Sequence, residues 1–420
     1  MAIKGLHSLP TPSLPAMAPI GTVSTMFILL NFISQAIAVP SELYSPLVPQ
    51  KLLRTFNSLP KPIQYPQYTD SSRPGKWAFF VPDTWTSAFF PTTLYEMDRR
   101  RTLCKTLNAS GVDVDWLQLG RSASQGLVSL PGHNTQGHDV GFLSFPFVEE
   151  LKRNPGNQTA INTVNGFARD LAKRFIPAAG VTRSWDNDNQ TVVRVIIDNM
   201  MNLDVLFSSA ELTGNQTLVQ IAKTHADTTI KNHIRADGST WHVVEYDADT
   251  GAVLSKHTAQ GFSDDSTWSR GQAWGIYGYA QMYSRTGNPT YLETSRRLAT
   301  YFLSHIPSDG IVPWDFDAPL KDPKVPGGVR PADSSAATIA TNGLLLLGSL
   351  DEEDADKWTS AALEILDHIT ELAWKPEWDS LLSNGTVNWP SNNYLTGTVY
   401  GDHYFVKVGN DLLERGLAHC

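Results

Sequence analysis

Three stretches of this chain repeat one plan, and a fourth varies it. Asp139 to Ile176, Asp198 to Ile234 and Arg270 to Ile306 each read as helix, Gly-Asn turn, helix, with the turns at Gly156, Gly214 and Gly287. Ser335 to Ile369 keeps the plan but carries Asp351-Glu-Glu-Asp-Ala-Asp in place of the glycine turn. Apolar spacing supports the helices: Met200, Leu203, Leu206, Phe207 and Ala210 recur at the intervals of one helical face. Glycine or asparagine at the turns supplies the left-handed backbone that ends a helix. The second helices end alike, at His233-Ile234, His305-Ile306 and His368-Ile369. A hairpin of this kind cannot bury its apolar face alone and must stack on its neighbours. A fifth hairpin starts at Trp85-Thr-Ser-Ala-Phe-Phe, and a sixth pairs a helix over Tyr400–Leu417 with one near Pro49–Leu59. Six hairpins in a ring predict an all-α fold, an (α/α)6 barrel, formed by residues 39–420 as one domain.

The register of the repeat also places polar residues. Asp139, Asp198 and Arg270 each precede their glycine turn by about 17 residues, and a helix of that length advances roughly 25 Å. All three therefore stand on one rim of the ring. The long linkers that enter the first helices, Ala236–Trp268 and Asp309–Asp333, lie over the same rim, where loops carry function.

The first 38 residues read as a signal peptide rather than as part of the fold. Lys4 is their only charged residue, an apolar run covers Met26–Ile37, and Ala36-Ile37-Ala38 places small residues where signal peptidase cuts. A secreted, extracellular protein is expected. Sequons at Asn108, Asn157, Asn189, Asn215 and Asn384 agree with that route. Cys104 and Cys420 are too few for a disulfide framework or a metal site, though one bridge between them is conceivable. A formal net charge of −9 without a Lys/Arg run disfavours nucleic acid and anionic membranes as partners.

Paired carboxylates are the basic equipment for breaking glycosidic bonds, because two neighbouring acids resist ionising together and one stays protonated. Asp139 and Asp198 are candidates for that work, with helix capping as the alternative. Trp85, Trp185, Trp241, Trp268, Trp274 and Trp314 lie near the inferred rim, and indoles stack on the apolar faces of sugar rings. Arg270 has the geometry to grip a carboxylate with two parallel hydrogen bonds, or to pair with Asp264 or Asp265. His242 is placed to orient a substrate. No metal-ligand pattern, phosphate loop or Gly-x-Ser-x-Gly elbow occurs, so neither metal nor cofactor is expected.

At these residues the chain resembles the unsaturated glucuronyl hydrolases, glycoside hydrolase family 88. The resembling motifs include Trp85-Thr-Ser-Ala-Phe-Phe-Pro, His138-Asp-Val-Gly-Phe, Ile197-Asp-Asn-Met-Met-Asn, His242-Val-Val, Gln260-Gly-Phe, Trp268-Ser-Arg-Gly-Gln-Ala-Trp-Gly, Asp333-Ser-Ser-Ala and Tyr400-Gly-Asp-His-Tyr-Phe. The resemblance implies removal of a 4,5-unsaturated uronic acid from the non-reducing end of lyase-generated oligosaccharides, by hydration of the C4=C5 bond. It implies Asp198 as general acid/base, Asp139 as the second carboxylate that raises the Asp198 pKa, and His242, Gln260, Arg270, Trp274 and Trp85 as substrate contacts. Two alternatives stand beside it: an unsaturated rhamnogalacturonyl hydrolase of family 105 type, and a non-catalytic glycan-binding protein of the same fold. Arg270-Gly-Gln-Ala-Trp argues against the first, and intact Asp139 and Asp198 argue against the second.

Overall fold

The computed structural model describes residues 39–104 and 114–420. The expected signal peptide and the Asn108 sequon lie outside the described residues. Fourteen α-helices are described: α1 Leu47–Asn57, α2 Phe89–Leu103, α3 Trp116–Ser124, α4 Val140–Leu143, α5 Phe145–Arg153, α6 Gln158–Lys173, α7 Asn199–Asn202, α8 Asp204–Thr213, α9 Gln216–His233, α10 Ser269–Thr286, α11 Pro289–His305, α12 Ser334–Leu350, α13 Ala355–Ala373 and α14 Val399–Glu414. No described helix is long and apolar enough to cross a membrane.

Packing closes these helices into two concentric rings. The inner contacts run from α2 to α5, from α4 to α7, then through α10, α12 and α14 back to α2. Outside them, α3 covers α2, α6 covers α5, α9 covers α8, α11 covers α10 and α13 covers α12. The sixth outer place is filled by the N-terminal segment, whose Tyr44 Oη donates to the Gly409 carbonyl of α14 at 2.9 Å. The fold is the expected (α/α)6 barrel. Inner helices are flanked on both sides, so α10 and α12 are buried nearly all round instead of showing one apolar stripe.

Details of the repeat differ from its sequence image, for local reasons. The second and third inner helices are each broken, at Ser144 and Leu203, into a short turn and a longer helix. Pro146 in the first turn of α5 accounts for the first break, because a proline deeper in a continuous helix would clash with the preceding turn. Gly214 and Gly287 end α8 and α10 with φ of 73° and 65°, as expected. Gly156 does not cap α5. That helix stops at Arg153, since Asn154 precedes Pro155 and is steered away from helical backbone. The turn asparagines act on the following helices instead. Asn157, Asn215 and Asn288 accept N-cap hydrogen bonds from Ala160, Thr217 and Thr290. The His368-Ile369 pair lies inside α13, which continues to Ala373.

The rim linkers are more ordered than the repeat suggests. Strands β1 Tyr65–Thr69 and β2 Trp77–Phe80 pair, as do β3 Phe175–Ile176 and β4 Val181–Thr182; β5 Val192–Ile196, β6 Val243–Asp247 and β7 Val253–His257 form an antiparallel sheet. Its alternating Val193, Val195, Val244 and Tyr246 build a small core of their own beneath Trp241. Cys104, at the end of α2, forms a disulfide with Cys420, Cα atoms 5.7 Å apart.

Candidate active site

Two inner turns bring the carboxylates together. Asp139 precedes α4 and Asp198 follows β5 into α7, and these two short helices touch through a glycine. A Cβ on Gly141 would lie 2.5 Å from the Asn202 Cα, so only glycine permits this approach. Asn202 Oδ1 then accepts the Phe142 amide at 2.8 Å and locks the contact. The Ile197 amide donates to the His242 carbonyl at 3.1 Å, which ties the Asp198 turn to the sheet. Helix capping does not explain the two aspartates, because neither side chain makes a cap hydrogen bond.

Between them opens a cavity of about 200 Å³, walled by Trp85, Phe142, Trp185, Ile196, Trp268, Val387 and Asn388, with Asp139, Asp198, Gln260 and Arg270 at its polar side. That volume lies below the usual range for drug-sized ligands and suits a single sugar ring. Burial pushes the Asp198 pKa up to about 7, with the Arg270 charge opposing the rise. Burial also lifts Asp139 well above the usual carboxylate range, and the Asp198 charge lifts it further. Burial is the leading cause for both carboxylates, and the mutual repulsion that the sequence reading invoked works in the same direction.

Several polar atoms at this spot lack protein partners. Asp198 Oδ2, His242 Nε2 and both ring nitrogens of His138 are buried without a hydrogen bond among the described residues. His242 Nδ1 accepts the amides of Ala259 and Gln260 at 3.2 and 3.3 Å, so its proton sits on Nε2. Burial holds its pKa well below the ordinary histidine value, and the ring is neutral. The Nε2–H stands 3.9 Å from Asp198 Oδ2, wide enough for a substrate hydroxyl or a water to bridge. His138 Nε2 lies 3.2 Å from Asp139 Oδ1, and burial keeps that ring neutral as well, its pKa lowered to about 3.

Arg270 meets neither Asp264 nor Asp265. Its Nη1 donates to Asp333 Oδ2 at 2.7 Å and to the Thr386 carbonyl at 2.5 Å. Its Nη2 donates to Gln260 Oε1 at 2.9 Å and to the Val387 carbonyl at 2.8 Å. All four terminal N–H groups are committed, which rules out the expected two-pronged grip on a substrate carboxylate in this arrangement. The same contacts orient Gln260: its oxygen faces Arg270, so its amide N–H groups are presented away from it. The guanidinium also stacks over Trp268, 4.5 Å from the ring centre.

The cavity thus brings together Trp85, Asp139, Asp198, Gln260 and Arg270, with His242 just behind Asp198. It does not include Trp274. That side chain is 1% exposed and packs below the cavity floor against Phe142 and Tyr404, at 5.3 and 5.7 Å. Position 274 is one helical turn deeper than Arg270 on the same face of α10, so the barrel core closes on it. Sequence reasoning missed His138, Asn202, Asp333 and the wall residues Val387 and Asn388. Of these, His138, Asn202 and Asp333 stood in recognisable motifs, whereas Val387 and Asn388 did not.

An enclosed carboxylate pair under a tryptophan-walled, single-ring pocket at one mouth of an (α/α)6 barrel defines a glycoside hydrolase. Comparisons with known proteins narrow the class. The chain is 34% identical to an unsaturated glucuronyl hydrolase of Formosa agariphila over 337 residues, 77% of this chain and 78% of that protein. It is 32% identical to an unsaturated chondroitin disaccharide hydrolase of Streptococcus pneumoniae over 281 residues, 64% of this chain and 69% of that protein. The crystal structure of an unsaturated glucuronyl hydrolase specific for heparin superimposes with a TM-score of 0.79 at 28% identity, covering 90% of this chain and 97% of that one. No protein-family model matches the chain. The chain belongs to the unsaturated glucuronyl hydrolases, glycoside hydrolase family 88.

Proposed function

We propose that this protein removes a 4,5-unsaturated uronic acid from the non-reducing end of lyase-generated glycosaminoglycan oligosaccharides by adding water across the C4=C5 bond. One observation carries the reading: a buried aspartate with a pKa of about 7 aims an unpartnered oxygen into a one-ring pocket. The relatives named for chondroitin disaccharides and heparin support the substrate class.

The substrate's C4=C5 bond is a vinyl ether. Protonated Asp198 delivers its proton to C4, and the C4–H bond forms from the π electrons. C5 is left as an oxocarbenium centre stabilised by the ring oxygen. Water attacks C5 and yields its proton to the Asp198 carboxylate, which restores the acid form. The product at C5 is a hemiketal. The hemiketal opens by breaking the C5–ring-oxygen bond, which leaves a ketone at C5 and a hemiacetal at C1. That hemiacetal collapses to an aldehyde as the C1–O bond breaks, and the leaving sugar departs with the hydroxyl proton. No covalent enzyme intermediate is needed.

Asp139, raised by burial and by the Asp198 charge, disfavours a second full negative charge beside Asp198. His242 offers its Nε2–H, and Gln260 its amide N–H groups, to the sugar's oxygens. Arg270 offsets the uronate charge through its field while its N–H groups hold the walls. Trp85 supplies a stacking face, and Trp274 supports the floor from below. Secretion is proposed with this reading, because the Cys104–Cys420 disulfide suits an oxidising compartment.

The test is the ultraviolet absorbance of the conjugated alkene on unsaturated disaccharides from hyaluronan, chondroitin, heparin, gellan and pectin. The reading expects loss of absorbance on at least one glycosaminoglycan disaccharide. Persistence on every one sinks it.

A further inference from the structure

Asp333 takes no part in the chemistry above, yet it is the fully buried carboxylate in direct contact with the site's cation. Its two oxygens do different work. Oδ1 caps α12, accepting the Ser335 and Ala336 amides at 3.0 and 3.3 Å, and it also takes the Thr386 amide at 3.3 Å. Oδ2 accepts Arg270 Nη1 at 2.7 Å. Arg270 in turn holds the carbonyls of Thr386 and Val387 and the side-chain oxygen of Gln260. Val387, Asn388 and Gln260 are cavity walls. A chain of contacts therefore runs from one buried carboxylate, through one guanidinium, to two separate walls of the pocket.

We propose that Asp333 is a positioning residue, which fixes Arg270 and through it sets both the Thr386–Asn388 wall and the orientation of the Gln260 amide. Its catalytic consequence rests on the function proposed above. Its structural consequence does not. An arginine without its anion is a buried uncompensated charge, and it has reason to leave this place. The wall is otherwise held by backbone pairing of Gly385 with Thr396 and of Asn388 with Asn393 at its two ends, and by Thr386 Oγ1, which donates to the Ala332 carbonyl at 2.8 Å.

The division of labour between the two oxygens suggests the variant. Asp333→Asn retains an amide oxygen for the cap, a role asparagine fills as well as aspartate, and loses the anion facing Arg270. Without any substrate, hydrogen exchange should quicken across both Gly385–Asn388 and Thr258–Gly261. Unchanged exchange in either segment overturns the proposal, whether or not the protein turns over unsaturated sugars. With an unsaturated disaccharide, Asp333→Asn should lower kcat/KM by about tenfold or more, and its loss should not multiply with that of Gln260→Ala, because residues acting through one contact are coupled. Losses that multiply overturn it; a merely structural role would produce them. Should Asp333→Asn fail to fold, Arg270→Lys serves. A single ammonium cannot span the four acceptors, so the same two segments should exchange faster. Unchanged exchange there has the same meaning.

Discussion

Replacing Asp198 with Asn should stabilise the protein at alkaline pH while abolishing its activity. The residue is 7% exposed, its Oδ2 has no partner among the described residues, and burial pushes its pKa up to about 7 in the folded chain. In the unfolded chain an aspartate titrates near 3.9. The folded state binds the proton more tightly, so stability falls as pH rises from about 4 to about 7, and the full penalty is present above 7. Three units correspond to about 4 kcal/mol at 1.36 kcal/mol each. Asparagine has nearly the same volume and carries no charge, so it escapes that penalty. For a domain of this size, with an unfolding entropy of about 2.1 cal/mol/K per residue, the relief is worth roughly 5 °C in Tm. The assay is thermal unfolding of both proteins from pH 4 to 8.5. The variant should gain in Tm relative to the parent as pH rises, with the gain complete above pH 7. A Tm difference that does not change with pH would refute the reasoning that Asp198 is held protonated by burial.

Three further outcomes follow from the same geometry. Turnover needs the Asp198 proton, so kcat should fall about tenfold per pH unit above pH 7; a rate that stays flat to pH 9 removes Asp198 as the acid. Trp185→Ala strips one wall of the cavity, and losing an aromatic stacking face should raise KM by roughly 3- to 10-fold with a smaller effect on kcat. An unchanged KM would show that Trp185 does not touch the sugar. Gly141→Ala drives a methyl into the Asn202 backbone, and overpacking of that kind costs about 1–3 kcal/mol. The two catalytic turns should part and kcat should drop, as steady-state kinetics on the folded variant would show; full activity would mean their spacing is not set by this contact.

The ring was legible in the sequence because an unaccompanied hairpin has an apolar face that only its neighbours can cover. Asp139 and Asp198 were legible for a related reason, since their distance from a turn measures their height in the barrel. Height alone misled at Trp274. Its spacing from Arg270 puts it on the same helix face, but one turn down that face lies under the aromatic floor. The wall at Val387 and Asn388 left no periodic signal. It comes from an irregular loop with left-handed backbone at Asn384, Asn392 and Leu395, shaped by tertiary contacts rather than by local preference. Arg270 was found as a cation but given the wrong protein partners, Asp264 or Asp265, because its partner Asp333 is 63 residues away and resembles an ordinary helix cap.

The hydration step itself is tested most directly by running the reaction in deuterium oxide and following the released uronate by proton NMR. If Asp198 protonates C4, the product has lost the alkene, is a ketone at C5 and, at times short of solvent exchange, carries a single deuterium at C4, on one face only, and Asp198→Asn yields none. Release of an intact unsaturated uronic acid, with its alkene proton retained and no deuterium at C4, would contradict the mechanism.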